Sequence, residues 1–235
     1  MEETTNKTEK RTAVHPFKPN KKGKHKQGFM NFVRLWAIPL LYIIKPFRYY
    51  GSRKVKDGPC IYVCNHYSST DPLYVACTTW EAIHFVPKKS LMNVPVLGGI
   101  LRKFQAIPVN RDGTDVRALL DCLKCLKAGD KISIFPEGTR NKTQEEMLPF
   151  KHGAAMLAIR TKSPVIPMVI YKKPRLFRMT HILIGEPIYF EEYYDKKLKE
   201  QDFGDMDEML RQRLLQMKAE HTEFLANKKK KKAKS

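Results

Sequence analysis

Acid is what this chain has least of: 24 Asp and Glu stand against 44 Lys and Arg in 235 residues, a formal net charge of +20. The surplus is uneven. Residues 1–28 carry eight Lys/Arg and three Glu, and residues 228–235 carry six Lys and no acid, so the ends account for +11 and the body for +9. A body of that sign favours anionic partners such as phosphates, nucleic acid or an acidic lipid surface. Nucleic acid is disfavoured, because no recognised DNA- or RNA-binding motif and no stripe of aromatics interleaved with Arg is present. Long apolar runs are missing as well. The uncharged run Leu35–Ile44 is ten residues, against the roughly 20 that span a bilayer. Residues 1–28 lack a signal peptide's apolar core and cleavage site. Cysteine is sparse and odd in number: Cys60, Cys64, Cys77, Cys122 and Cys125. No disulfide framework follows, and the Cys122/Cys125 spacing has no second pair or His cluster to complete a zinc site. These cysteines read as small buried hydrophobes of a reducing compartment, and no metal is expected. No internal repeat is visible.

What is there begins with polarity. Residues 1–28 read as a basic disordered tail. Residues 29–50 then read as a membrane-interface helical anchor, an interfacial or re-entrant helix pair. Arg34 and Lys45 bracket its apolar run, Pro39 kinks it, and Trp36, Tyr42, Tyr49 and Tyr50 suit the headgroup level. The other reading is a buried core helix of a soluble domain. From residue 51 to 227 strands and helices alternate. Strand patterns fall at 60–64, 83–87, 105–109, 131–135, 165–171 and 182–184, and helix patterns at 71–80, 94–103, 115–128, 152–160 and 205–226. Gly129 stops the third helix. This order predicts an α/β domain with a mostly parallel sheet flanked by helices. The Lys-rich run 228–235 reads as a solvated tail.

In such sheets ligands bind beyond the strand C-terminal ends, and chemistry-bearing residues cluster there. Asn65-His66-Tyr67-Ser68-Ser69-Thr70-Asp71-Pro72 is a strand-to-helix turn. An imidazole near its ordinary pKa removes a hydroxyl proton, and works best when a carboxylate holds its other nitrogen. Asp71 can orient His66, or it can merely start its helix ahead of Pro72. The two are compatible, with one oxygen for each task. Phe135-Pro136-Glu137-Gly138-Thr139-Arg140 follows the strand ending at 135. Its Arg fork suits a phosphate, although Pro-Glu-Gly is ordinary turn chemistry and Glu137–Arg140 could be a surface ion pair. Lys88, Lys89 and Arg111 follow two further strand ends, and Gly98-Gly99 permits close backbone approach. Val165-Ile166-Pro167 reads as an edge or bulged strand.

Together and in this order these stretches resemble the glycerophospholipid acyltransferase family, most closely its 1-acyl-sn-glycerol-3-phosphate (lysophosphatidic acid) acyltransferases. Asn65, His66, Ser68 and Asp71 fit an Asn-His-x-Ser-x-x-Asp block. Lys88-Lys89-Ser90-Leu91, Pro95, Gly98 and Arg111 fit a Lys-rich Pro/Gly block, and Phe135–Arg140 matches Phe-Pro-Glu-Gly-Thr-Arg in full. Val165-Ile166-Pro167 fits the fourth. Val96-Leu97-Gly98-Gly99 departs from the bulkier aromatics that often flank the glycine.

The resemblance implies a glycerol-3-phosphate acyltransferase-like fold with an N-terminal two-helix membrane anchor. It implies a peripheral or monotopic enzyme on the cytoplasmic face of a phospholipid membrane. The reaction implied is transfer of a fatty acyl group from acyl-CoA or acyl-carrier protein to the sn-2 hydroxyl of lysophosphatidic acid, giving phosphatidic acid, with no cofactor. His66 would be the general base and Asp71 its orienter. Arg140 and Arg111, with Lys88, would hold the acceptor phosphate, and Glu137, Gly138 and Thr139 would line the acceptor site, the first two positioning the glycerol. Backbone N–H groups at the helix start after Asp71 would face the oxyanion. The rival readings are another acceptor, glycerol 3-phosphate or a different lyso-phospholipid, and a non-enzymatic basic membrane-binding protein.

Overall fold

The apolar run Cys60–Cys64 forms a strand buried along its whole length, and the sheet is built around it. The computed structural model describes residues 27–52, 58–110, 115–151 and 153–234. Its strands are β1 (Phe47–Tyr50), β2 (Cys60–Cys64), β3 (Ile83–Phe85), β4 (Lys131–Ile134), β5 (Val165–Ile170) and β6 (Thr180–Ile184). Its helices are α1 (Gln27–Ile44), α2 (Asp71–Ala76), α3 (Leu97–Lys103), α4 (Val116–Lys127), α5 (Ala154–Thr161) and α6 (Glu200–Lys234). They make one six-stranded sheet in the order β1-β6-β5-β2-β4-β3. Every neighbouring pair is parallel except β5–β6, so the sheet is mixed and mostly parallel. The C-terminal ends of β2, β3, β4 and β5 therefore share one edge.

Strand periodicity divides β2 between two cores. Ile61 and Val63 join Ile132, Leu126, Leu157, Leu210 and Leu214 on the side of α4, α5 and α6. Cys60, Tyr62 and Cys64 join Ile166, Met168, Tyr74 and Leu41 on the side of α1 and α2. Burial on both faces explains why the strand reads as an uninterrupted apolar run. Helix α5 begins at Gly153, which has no side chain to cap it. Asp207 of α6 does so instead, accepting the N–H groups of Gly153 at 3.2 Å and Ala155 at 3.1 Å.

Several expectations are corrected. Among the described residues the segment expected as a helix pair is one helix, α1, followed by an edge strand. Phe47 is buried and β1 pairs with β6, so sheet pairing rather than a second helix satisfies that backbone. Arg34 is no surface cation. It is 4% exposed and donates to the carbonyls of Ala76 (3.0 Å), Trp80 (2.6 Å) and Glu81 (2.7 Å), pinning α1 to the end of α2. Lys45 is likewise engaged, donating to Thr70 Oγ1 at 3.3 Å. Residues 105–109 run beside the extension of β3 without forming a full strand. They make one bridge, Lys88–Val109: Ile107 donates to the Phe85 carbonyl and Val109 to that of Pro87, but Pro87 has no N–H to return to Ile107, and Gln105 sits at φ 50°. Pro167 lies in β5, which is internal. Its carbonyl accepts from Gly185 at 2.9 Å on the β6 side, so its missing N–H falls just past the last β5–β6 pair, Met168–Ile184. The Lys run from residue 228 continues α6 and is exposed where described. The basic tail expected over residues 1–28 lies, up to residue 26, outside the described residues.

Candidate active site

β2 ends against a side chain that imitates backbone. Asn65, fully buried, donates from Nδ2 to the Ile170 carbonyl at 3.1 Å and accepts the Ile170 N–H at 2.8 Å. It thus extends the β2–β5 pairing by one rung and fixes where His66 leaves the sheet. His66 Nδ1 lies 2.9 Å from Asp71 Oδ2, and Asp71 is completely buried. The same oxygen accepts the N–H groups of Tyr67 and Ser68, both at 2.6 Å. One oxygen therefore orients the imidazole and also ties the turn, and no side chain caps the helix. Asp71 closes the turn behind it rather than capping the helix ahead, and its Oδ1 is buried without a hydrogen-bond partner among the described residues. His66 Nε2 is the ring nitrogen left over. The helix start offers little to an oxyanion: Pro72 has no N–H, and those of Asp71 and Leu73 are spent on Ser68 and Thr70.

The loop after β4 encloses His66 from the other side. The Phe135 ring stacks on the imidazole, with centroids 4.4 Å apart and planes 29° apart. Glu137, 2% exposed, accepts the His66 main-chain N–H on Oε1 at 2.7 Å and the Leu148 N–H on Oε2 at 3.1 Å. Asn141 donates its main-chain N–H to the His66 carbonyl at 2.7 Å. Both main-chain polar groups of His66 are thus held by one loop. Burial pushes the Glu137 carboxyl above its ordinary value, against those two N–H groups, which lower it. Glu137 was expected to reach the acceptor, yet both its oxygens face the protein. The loop is braced in turn by α6, whose Arg211 donates to the carbonyls of Met147 (2.9 Å) and Leu148 (3.2 Å).

The expected cations are placed differently from one another. Arg140 and Thr139 are exposed at the end of this loop, and Arg140 makes no hydrogen bond or ion pair among the described residues. Gly138 turns the chain at φ 66°, and a Cβ there would lie 2.9 Å from Lys151 Cδ, so Lys151 crosses directly over the turn. Lys88 is exposed beyond β3 on the same sheet edge. Arg111 lies outside the described residues. Of Gly98 and Gly99, only Gly98 allows a close approach, against the Met92 carbonyl. Asn65, Phe135, Asn141 and Lys151 were not singled out as site residues. The first two stood inside the quoted motifs, whereas Lys151 carried no sequence signal. The metal-capable group among the described residues, His84, Cys125 and Asp130, lies away from this edge: Asp130 precedes β4, at the opposite end from Phe135.

Known proteins are similar to this chain in sequence and in fold. A solved structure, the 1-acyl-sn-glycerophosphate (LPA) acyltransferase PlsC from Thermotoga maritima, matches with a TM-score of 0.62 at 24% identity, over 82% of this chain and 80% of that one, which is a likeness of fold. The 1-acyl-sn-glycerol-3-phosphate acyltransferase of Bacillus subtilis is 31% identical over 68% of this chain and 82% of its own length. The chloroplastic 1-acyl-sn-glycerol-3-phosphate acyltransferase BAT2 of Brassica napus is 32% identical over 71% of this chain, which spans about half (52%) of that relative. The profile of the family described as Acyltransferase covers residues 46–171, from the edge strand to the end of β5. With that match and the two motif loops closed on one histidine, the chain belongs to the acyltransferase family.

Proposed function

We propose that this protein transfers a fatty acyl group from a thioester, acyl-CoA or acyl-carrier protein, to the sn-2 hydroxyl of lysophosphatidic acid, forming phosphatidic acid. The observation that carries the proposal is the 2.9 Å contact between His66 Nδ1 and the buried Asp71 Oδ2, which leaves Nε2 for an external proton. His66 Nε2 takes the acceptor hydroxyl proton as that oxygen attacks the thioester carbonyl. The tetrahedral adduct collapses, the C–S bond breaks, and the imidazolium returns the proton to the departing thiolate. Asp71 holds the ring orientation and stabilises the imidazolium. A thioester is already activated, so no acyl-enzyme is required. Arg140, with Arg111 and Lys88, binds the acceptor phosphate, and Lys151 adds a cation over the Gly138 turn. Glu137 positions His66 rather than the glycerol.

The acceptor lives in a bilayer, and α1 offers a face for one. Phe32, Leu35, Trp36, Leu40, Tyr42 and Ile43 are all more than half exposed on it. No helix among the described residues is long and apolar enough to cross a membrane. We therefore read α1 as lying in the interface of the cytoplasmic leaflet. The test crosses two acceptors, lysophosphatidic acid and glycerol 3-phosphate, with acyl-CoA and acyl-carrier-protein donors. Product from lysophosphatidic acid, lost by a factor of about 10² to 10⁴ in a folded His66→Ala protein, is the expected result. Full activity of that variant, or turnover of glycerol 3-phosphate alone, overturns it.

A further inference from the structure

The connection between β5 and β6 plays no part in the chemistry above, yet the fold brings it to the same edge. Ile170 ends β5 in the grip of Asn65, next to His66. β6 runs back antiparallel from Thr180, so residues 171–179 lie wholly at that end. β1 runs parallel to β6, which brings the end of α1 there too. Phe177 donates its N–H to the Ile44 carbonyl, and Thr180 donates to Pro46, both at 2.8 Å. The connection and the exposed face of α1 are therefore tied together.

Its composition is unlike that of a plain surface loop. Lys172-Lys173-Pro174-Arg175-Leu176-Phe177-Arg178-Met179 holds four cations and no acid. No carboxylate among the described residues pairs with any of the four. Leu176 is 59% exposed, Phe177 73% and Met179 46%. Single exposed apolar side chains are ordinary, but three in four positions beside an apolar helix face make a patch. Phe177 is also held at φ 55°, a left-handed conformation that a bulky residue rarely adopts. The same connection lines an open cavity of ≈ 220 Å³, with Lys172, Lys173, Arg175, Arg178 and Met179 on one side and Leu225 of α6 on the other. Four of its lining side chains are Lys or Arg. Burial, then Arg48, Lys228 and Lys172, all push the His181 imidazole below its ordinary value.

We propose that residues 171–181 form a second membrane contact. Leu176 and Phe177 enter the acyl region of an anionic phospholipid bilayer, while the cavity among Lys172, Lys173, Arg175 and Arg178 takes a lipid phosphate headgroup. Apolar side chains flanked by unpaired cations match the two layers of such a surface, tails within and anionic headgroups above. Together with α1 the contact would seat the protein on two points, holding the His66 edge against the bilayer. The inference extends the membrane-facing part of the proposed function and does not depend on acyl transfer.

The experiment uses the full chain with vesicles of phosphatidylcholine alone or with a third of the lipid anionic. A single tryptophan reporter is made by Phe177→Trp in a Trp36→Phe/Trp80→Phe background. Its emission is expected to shift to the blue on anionic vesicles and to be quenched by brominated acyl chains. Leu176→Ser/Phe177→Ser is expected to weaken binding about tenfold on both vesicle types, a loss on the order of that for one well-buried apolar side chain. Replacing the four cations with Gln is expected to weaken binding on anionic vesicles only. Leu176, Phe177 and the four cations are on an exposed connection, and thermal unfolding of each variant verifies that it folds. An unshifted, unquenched reporter on a chain that is vesicle-bound overturns this proposal while leaving the α1 contact standing. A folded chain that binds neither vesicle overturns both.

Discussion

Glu137 and His66 are 71 positions apart and share one hydrogen bond, the His66 main-chain N–H to Glu137 Oε1 at 2.7 Å. That bond turns two separate sequence motifs into one site. Its kinetic signature is a kcat effect. Glu137→Gln puts an amide donor opposite one of two N–H donors, so kcat is expected to fall by roughly tenfold, about 1.4 kcal/mol, with acceptor KM unchanged. A raised KM with kcat intact would place Glu137 on the substrate instead.

The same carboxyl predicts a pH dependence of stability. Its pKa is raised by burial in the folded chain. Between the unfolded and folded values the native state therefore holds more protons, and stability falls as pH rises through that window. Glu137→Gln has no proton to lose. The stability of the parent relative to this variant should be greatest at low pH and decline upward through the folded pKa. Urea midpoints from about pH 4 to 7 would measure it, and a pH-independent difference would contradict it.

Asp71→Asn keeps an oxygen for the Tyr67 and Ser68 N–H groups but removes the charge facing His66. kcat is expected to drop about 10² to 10⁴-fold, with the variant still folded. Near-parent turnover would mean that Asp71 serves the turn alone.

Asn65→Ala strands the N–H and carbonyl of Ile170 in the core. Each unsatisfied buried group costs about 1–3 kcal/mol, so a loss of roughly 2–6 kcal/mol is expected for the two. A shift in urea midpoint at constant slope would register it.

Arg34→Lys removes a fork that reaches three carbonyls and substitutes one point donor. Helix α1 is expected to loosen while the sheet stays intact. Faster hydrogen exchange confined to α1 and residues 76–81 is the readout, and exchange unchanged from the parent would show that α1 is held by apolar packing.

Arg140→Ala and Lys151→Ala are expected to raise the acceptor KM with little change in kcat, most strongly together. An unchanged KM in the double variant would remove both from the phosphate site.

What was readable from sequence was what repeats locally. Strand β2 and helix α4 followed from burial runs and helical spacing, and α4 ends one residue from the expected limit. His66 and Asp71 were readable because they are five residues apart and one turn folds them together. The errors have a common cause. Phe47–Tyr50 is amphipathic in either conformation and becomes a strand only because β6 is there to pair with it. Arg34 looks like a membrane-flanking cation until three carbonyls from the end of α2 surround it.

Sequence alone determined the alternating α/β order, the pairing of a histidine with an aspartate, and the excess of cations, because each depends on neighbours along the chain. Tertiary structure decided the rest. It set which Asp71 oxygen works, turned Glu137 inward, stacked Phe135 on the imidazole, and laid Lys151 over Gly138. It also brought the basic connection after β5 to the same edge as His66. The longest of those relationships, Phe135 on His66 and Asn65 with Ile170, join residues many positions apart, and only the packing of a sheet between two helical layers brings such residues into contact.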